Sequence, residues 1–333
     1  MLSIRPFRNS DPPKLLEIWR QFFLKEPQKA VPISLPVLED DVLNMPYFDN
    51  RGLFLAFDNG FLVGFAHTFF GPNRNKSNLN PETGVIHLVI TVPTYPDPVE
   101  LNRRLVEHCE EYLKNKGAKV IFGGPPRTCV AFYSGLYGGS EPIGIYESDE
   151  ALIAAYQNLG YQVLYNTLQL TNDLRNFQIP FTPKSVPWRR KLTVHYFNDP
   201  PMENWFQACM TSHSKWFNAK AVIGTREEKL AKAYIRITPS LDLPGLNVKI
   251  PPTAALVHIG VDDHFLRQGI GTFLLGETIR RLTAEFHPSR IETLVMQEED
   301  HLVQFFRKLG WKEGAKGKVF LKILQERRMS KRT

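Results

Sequence analysis

The chain has 333 residues, 43% of them hydrophobic, and a formal net charge of +7. That length accommodates two domains of ordinary size, each with its own core. No run of 18 apolar residues occurs, which excludes a transmembrane helix; the N-terminus lacks the apolar core and small-residue cleavage site of a signal peptide; and Cys109, Cys129 and Cys209 form neither a metal-ligand spacing nor a disulfide framework. A reduced, cytoplasmic setting without membrane or metal is therefore expected.

In chain order, Ser3–Phe7 reads as a first strand. Asp11-Pro12-Pro13 opens a helix whose apolar face is Leu15, Leu16, Ile18, Trp19 and Phe22-Phe23, since Pro near a helix start and Asp before it are both favoured. Leu53–Asp58 and Phe61–Phe70 read as strands joined by Asn59-Gly60, a dipeptide suited to a hairpin turn with two positive φ values. Gly84–Val92 is a further strand, Leu101, Leu105, Cys109 and Leu113 mark a helix, and Val120–Phe122 is a strand. A Gly- and aromatic-rich loop, 123–145, follows as a lid or a surface excursion. Ala151–Leu159 is a helix stopped by Gly160, and Tyr161–Leu170 a closing strand. Residues 172–187 contain Pro180, Pro183 and Pro187 without periodicity and read as a linker.

A similar order then repeats. Thr193–Phe197 is a strand, and 201–217 a helix with Trp205, Cys209 and Met210 inward. Ala231–Ile237 is a strand, although Thr225-Arg226-Glu227-Glu228 has the form of a capping box. Ala254–Val261 is a strand, Thr272–Phe286 a helix, Arg290–Met296 a strand, His301–Leu309 a helix stopped by Gly310, and Val319–Leu324 the last strand. Val92 aligns with Val261 and Leu105 with Leu274, while Tyr156–Tyr161 aligns with Phe306–Trp311. This is a divergent tandem duplication, with the extra residues of the first half in loop 123–145. The alignment sets Glu100 and Asn102 opposite Gly269 and Gly271.

The stretch carrying most chemistry is Leu266-Arg267-Gln268-Gly269-Ile270-Gly271-Thr272, between the strand ending at Val261 and the following helix. Helix N-terminal N–H groups lack helical partners and the dipole favours anions there, so a Gly turn at that place suits a phosphate. It is not a P-loop, because no Gly-Lys-Ser/Thr follows, and not a dinucleotide fingerprint, because the third Gly and a later acidic residue are missing. By itself it also fits a plain tight turn. The tail 326–333 carries four bases against one acid and reads as a solvated end; no aromatic and basic stripe accompanies it, and nucleic acid is disfavoured as a partner.

These residues resemble the GNAT superfamily of acetyl-CoA-dependent N-acetyltransferases. The turn Leu266–Gly271, with Leu274-Leu275 after it, is similar to the family's Arg/Gln-x-x-Gly-x-Gly/Ala turn; Ile259-Gly260-Val261 fits its Leu-x-Val, and Phe305–Trp311 its Leu-Tyr-x-Lys-Leu-Gly-Phe. The first half resembles the same fold through its element order and Tyr156–Tyr161. The resemblance implies a mixed α/β (α+β) fold of two tandem GNAT-like acyl-CoA N-acyltransferase domains, each a mixed, mostly antiparallel sheet flanked by helices. It implies a degenerate domain at 1–175, a linker at 176–187, a domain with the acetyl-CoA site at 188–326 and a basic tail at 327–333. It implies acetyl transfer from acetyl-CoA to an amine of a small molecule or peptide. Backbone N–H groups of Arg267, Gln268, Gly269, Ile270, Gly271 and Thr272 would seat the pyrophosphate, with Leu266 beside them, and the backbone of Ile259, Gly260 and Val261 would flank the thioester. Phe306, counted with these coenzyme-binding residues, stands where many members have the Tyr that protonates the leaving thiolate, and Glu299 where they have an Asn. The candidates for proton transfer are Glu298, Glu299 and His258. Acids also favour helix starts, and alternation along the strand favours a packed core position for His258. His213 and Trp216, late in the helix expected at 201–217, fall where the family often binds its acceptor, although Trp216-Phe217 reads better as core. Tyr156 keeps the acid-type Tyr in a half without the Gly turn, at what reads as a core position. A non-catalytic acetyl-CoA-binding or regulatory module is the competing reading, and the first half is expected to hold no coenzyme.

Overall fold

The computed structural model describes residues 1–175, 177–178, 182–210, 215–223, 229–238, 241–243 and 248–324. The elements in chain order are β1 (Leu2–Pro6), α1 (Pro12–Lys25), α2 (Leu35–Leu38), β2 (Leu53–Asp58), β3 (Phe61–Pro72), β4 (Leu79–Thr91), α3 (Pro98–Asn115), β5 (Val120–Gly123), β6 (Ile145–Tyr146), α4 (Glu150–Asn158) and β7 (Gln162–Asp173). They continue with α5 (Trp188–Lys191), β8 (Leu192–Asn198), α6 (Trp205–Met210), β9 (Lys215–Ile223), β10 (Lys229–Thr238), β11 (Leu241–Leu243), β12 (Val248–Ile250), β13 (Thr253–Val261), α7 (Ile270–Phe286), β14 (Arg290–Met296), α8 (Asp300–Lys308) and β15 (Lys312–Ile323). Two compact units result. Among the described residues, one holds 1–167, 203–210 and 316–324, and the other holds those within 168–202 and 211–315. The units interleave along the chain, whereas the sequence divides once, at 176–187.

In the first unit β1, β2, β3 and β4 are successive antiparallel neighbours and β5 joins β4 in parallel. The β2–β3 hairpin turns on Asn59 and Gly60 at φ 49° and 85°, the positive pair that Asn-Gly supplies. The far edge of β5 is closed by Phe320–Ile323 of β15. One face of the sheet packs on α3, whose Leu101, Leu105, Cys109 and Leu113 meet Phe54, Ala66, Ile86 and Ile121. Their four-residue spacing places them on one stripe. The other face, with His67, Phe69 and His87, meets Phe132 and Tyr133 of loop 123–145, while Trp19 of α1 stacks on Tyr133 at 5.8 Å. Phe132, Tyr133, Leu136, Tyr137 and Ile143 are all buried. The loop is thus a packed layer of the core and not a surface excursion, because its aromatic side chains pack between that sheet face and α1.

In the second unit the strand order is β7-β14-β13-β10-β9-β8, with β13 and β14 parallel and β8, β9, β10 and β13 antiparallel in turn. Leu274, Leu275, Ile279 and Leu282 of α7 and Val303 and Phe306 of α8 pack with Ile235, Ala254, Leu256, Ile291 and Val295 of the sheet.

Residues 201–217 do not form one helix. α6 covers only Trp205–Met210, belongs to the first unit and places Phe206 against Tyr47 at 6.2 Å, while Trp205 stays exposed. Lys215–Ile223 is a strand paired on both sides, with Phe217 and Ala219 buried at a spacing of two, so sheet pairing overrides the helical pattern. Trp216 therefore lies in β9. His213 and the capping-box residues 225–228 lie outside the described residues. The last strand begins at Lys312 rather than Val319. The ladders also shift the alignment of the halves by one residue in this region. Leu88 pairs with His67 as His258 pairs with Tyr234, so Thr91, not Val92, is the counterpart of Val261.

Candidate functional site

The site begins where two parallel strands stop pairing. β13 and β14 are in register at Thr253–Ala255 and Arg290–Glu292, and β13 then runs on to Val261. At the parting point the Thr293 hydroxyl donates to the Leu256 carbonyl at 2.8 Å, a side chain standing in for a backbone donor. On its other side β13 stays paired with β10, but the register passes from Tyr234/His258 to Ile235/Leu256 and leaves Val257 as a β-bulge. An inserted residue reverses the alternation of side chains. Ala254 and Leu256 face the core before the bulge, and Ile259 and Val261 pack on it after the bulge. His258 is consequently exposed instead of buried in the core, which corrects the expectation from simple alternation. Its Nε2 lies 2.8 Å from where a Cβ on Gly260 would stand, and Tyr234 lies across from it with ring centroids 5.6 Å apart. The same sheet face carries Tyr234, Arg236, Ala255, His258 and Glu292 in matched register.

β13 leads to a turn built for a helix start. Asp262 accepts from the His264 N–H at 3.0 Å, and the chain climbs through Leu266, Arg267 and Gln268, all exposed. Arg267 and Gly269 both lie at positive φ, 58° and 88°. Gly269 is the N-cap of α7 in the left-handed region and makes no side-chain cap hydrogen bond. The N–H groups at this end have no helical partners. The two turn glycines are required for different reasons. At Gly269 a Cβ would stand 2.6 Å from the carbonyl carbon of Lys184 and 2.8 Å from the Ser185 nitrogen, so the fold itself demands glycine. At Gly271 a Cβ would meet Val261 and Phe305 only at 3.4 and 3.7 Å, ordinary contact distances. Ile270 and Thr272 are buried on the helix side of the turn.

The other candidates separate. Glu298 is exposed in the turn after β14, and Glu299 is half-buried as the N-cap of α8, accepting from the Met296 N–H at 3.3 Å. Phe306 is 1% exposed, within the core against Trp311 at 4.8 Å. Its half-buried neighbour Phe305 is the residue beside Gly271. The bulge at Val257, the hydroxyl of Thr293 and a contact from Trp188 described below had no signal in the sequence, because each depends on a partner distant along the chain.

The matching place in the first unit is filled. β4 and β5 pair up to Ile86/Gly123, and the backbone N–H of Gly124 then donates to the Ile86 carbonyl at 2.9 Å. Tyr156 is a core residue stacked on Phe320 at 5.5 Å, its ring 2.5 Å from a Cβ position on Gly123. α3 is capped by its own acid, the Asp97 carboxylate accepting from the Glu100 N–H at 3.0 Å. His67 and His87 are fully buried; His67 shares a 2.9 Å hydrogen bond with the Tyr133 hydroxyl, and neither nitrogen of His87 has a partner. Burial pushes the His67 imidazole down to about 3 and that of His87 well below its ordinary value, where the neighbouring His67 adds to the effect.

Among the described residues no helix is long and apolar enough to cross a membrane, and no group of three or more His, Cys, Asp or Glu residues could hold a metal ion. No curated protein matches the chain by sequence. Solved structures do match by fold. A tandem GNAT protein from the clavulanic acid biosynthesis pathway, determined without AcCoA, is 11% identical with a TM-score of 0.64, covering 97% of this chain and 98% of that one. A GCN5-related N-acetyltransferase from Sphaerobacter thermophilus is 13% identical with a TM-score of 0.64, over 98% of this chain and 96% of that one. A GCN5-related glucosamine N-acetyltransferase region of a fungal multi-domain GH3 beta-N-acetylglucosaminidase is 16% identical with a TM-score of 0.64, over 97% of this chain and 38% of the other. The acetyltransferase (GNAT) family model matches residues 187–311, the stretch that holds the bulge, the parted strands and the Gly turn. Residues 187–311 thus match the acetyltransferase (GNAT) family, and the chain as a whole has the fold seen in the tandem GNAT structure.

Proposed function

We propose that the protein is an N-acetyltransferase that takes its acetyl group from acetyl-CoA and delivers it to an amine in the second half of the chain. The observation that carries this reading is the helix start at Gly269, an N-cap residue in the left-handed region that makes no side-chain cap hydrogen bond to the N–H groups. An anionic ligand group is what such a helix end binds. The residues fit coenzyme A in a second respect. Gly271 has helical backbone and free room for a Cβ, so the fold gives no reason for glycine there, whereas a phosphate close to the backbone does.

In this reading the N–H groups from Arg267 to Thr272 hold the pyrophosphate, and the stretch Ile259–Val261 of β13, beyond its ladder with β14, lies beside the thioester. The thioester supplies an activated acyl group. Attack by an amine requires that nitrogen to be neutral, and the oxyanion that forms requires a donor. The backbone of the parted strand supplies such a donor without depending on any side chain, which accommodates the divergence of this chain. His258 takes the proton: it is exposed on the same face as Tyr234 and Glu292, beside Gly260, and His exchanges protons readily near neutral pH. Glu298 and Glu299, at the end of β14, face the amine side. Phe306 gives nothing to the leaving thiolate, because it is buried and carries no proton donor. The acceptor is a small-molecule or peptide amine, and the free thiols of Cys109, Cys129 and Cys209 suit a reducing, cytoplasmic setting.

The test follows free thiol on incubation with acetyl-CoA and a panel of amines. His258→Gln should lower kcat at neutral pH at least tenfold with coenzyme affinity unchanged. Tight coenzyme binding with no turnover on any amine would favour a non-catalytic acetyl-CoA-binding module, the reading that the buried Phe306 supports.

A further inference from the structure

The segment before β8 is seated on the Gly turn. Thr182 and Ser185 close a small turn on each other, with the Ser185 hydroxyl donating to the Thr182 carbonyl at 2.8 Å and the Ser185 N–H to the same oxygen at 2.9 Å. This brings the backbone of Lys184 and Ser185 against Gly269 closely enough that no Cβ fits between them. Three residues later the indole Nε1–H of Trp188 donates to the Gln268 carbonyl at 2.7 Å, and the indole ring meets Phe265 edge-on at 6.4 Å. The Gln268 carbonyl and the Gly269 N–H belong to one planar trans peptide and point in opposite directions. Holding the carbonyl from one side therefore aims the N–H to the other. The peptide needs such a hold, because Gly269 on one side of it lies at positive φ, a conformation that glycine is freely able to leave, and Arg267, one residue before it, is at positive φ as well.

We propose that Trp188 is a positioning residue for the anion-binding turn: the strap 182–188 fixes the Gln268–Gly269 peptide so that the Gly269 N–H meets the pyrophosphate of coenzyme A. The proposal rests on the coenzyme reading above. It assigns to residues expected as a plain linker the job of presetting a donor, and a preset donor binds without an ordering cost.

The experiment compares the full chain with Trp188→Phe, which keeps a ring against Phe265 and deletes only the donor. Coenzyme A and pantetheine, which has the same arm without the pyrophosphate, are titrated into each protein, the latter at millimolar concentration, and denaturant midpoints are recorded. The expected result is about a tenfold loss of coenzyme A affinity, the scale of one hydrogen bond. Pantetheine binding should be unchanged, the midpoint nearly so, and KM for acetyl-CoA should rise with kcat preserved. Equal coenzyme A affinity in the two proteins overturns the strap and leaves the coenzyme reading standing. Equal losses for both ligands with a lowered midpoint also overturn it, since that is the signature of a general packing defect. Failure of the unmodified chain to bind coenzyme A overturns both readings.

Discussion

The two halves share a frame and differ in what fills it. Asp149 and Glu299 precede α4 and α8 with nearly the same backbone, φ −88° and −84° and ψ 61° at both, and Gly160 and Gly310 end those helices at φ 80°. In the first half Asp149 is paired with the buried Lys29, against a burial that raises its carboxyl pKa; in the second, Glu299 is half-buried and caps its own turn. The carbonyls of Ile86 and Leu256 occupy equivalent places at the end of a parallel ladder. The first accepts a backbone N–H and the loop folds down over the sheet; the second accepts a Thr hydroxyl, and the backbone of β14 is released. The helix after the key strand is capped by Asp97 in one half and by a bare Gly269 in the other. On the function proposed above, the second half keeps a site because it leaves backbone groups for a ligand, and the first half has none because it satisfies them itself.

That contrast can be broken at several points. The largest effect is expected at Gly269→Ala, which combines positive φ with backbone contact at Lys184 and Ser185 and should cost about 3 kcal/mol in denaturant unfolding. Gly310→Ala, at similar φ but with nothing within 4 Å, should cost only ~1 kcal/mol. Equal costs would mean that the strap does not hold the turn.

Next in size is the coenzyme response. At a hundred times Kd, coenzyme A should stabilise the unmodified chain by ~2.7 kcal/mol. Gly271→Val should fold but lose this response, and Glu100→Gly, in the first turn of the corresponding helix α3, should keep it. A full response from Gly271→Val would move the coenzyme away from this turn.

The acid limb of stability tests the packed aromatic layer of the first half. His67 and His87 are held neutral, with pKa values below the ordinary 6.5. Below that pH the unfolded chain takes up protons that the folded chain refuses. Their burial therefore leaves stability unaffected above pH 6.5, and stability falls as pH drops from 6.5 toward about 3 for His67. Each histidine should contribute up to about 1.4 kcal/mol per pH unit. His87→Leu should flatten the curve by one proton without loss at pH 8, because its ring nitrogens have no partners to lose. An unchanged slope would show that the layer over these histidines opens to water. The smallest effect is expected at Thr293→Val, about 1 kcal/mol for the lost bond to Leu256. Unchanged stability there would mean that a water replaces the hydroxyl.

Much of the frame was legible in the residues. Leu101, Leu105, Cys109 and Leu113 predict one buried helical stripe, Asn59-Gly60 predicts a hairpin, and Gly160 and Gly310 predict two helix ends; all are local patterns, and all are found. Residues 201–217 misled because Phe217 and Ala219 are buried by pairing with β8 and β10, partners that a local apolar count does not include. His258 misled because one bulged residue, Val257, reverses the faces of everything after it.

By itself, then, the sequence determined the repeat, the Gly turn and its place between strand and helix, since periodicity and φ preference act over a few residues. Tertiary structure decided which side of β13 His258 takes, that Phe306 is core while Phe305 adjoins Gly271, and that Trp188 and Ser185 close on the turn some 80 residues away. Those outcomes are set by register, by packing and by hydrogen bonds between distant segments. They are fixed only when the chain has folded and each backbone group has found, or been denied, a partner.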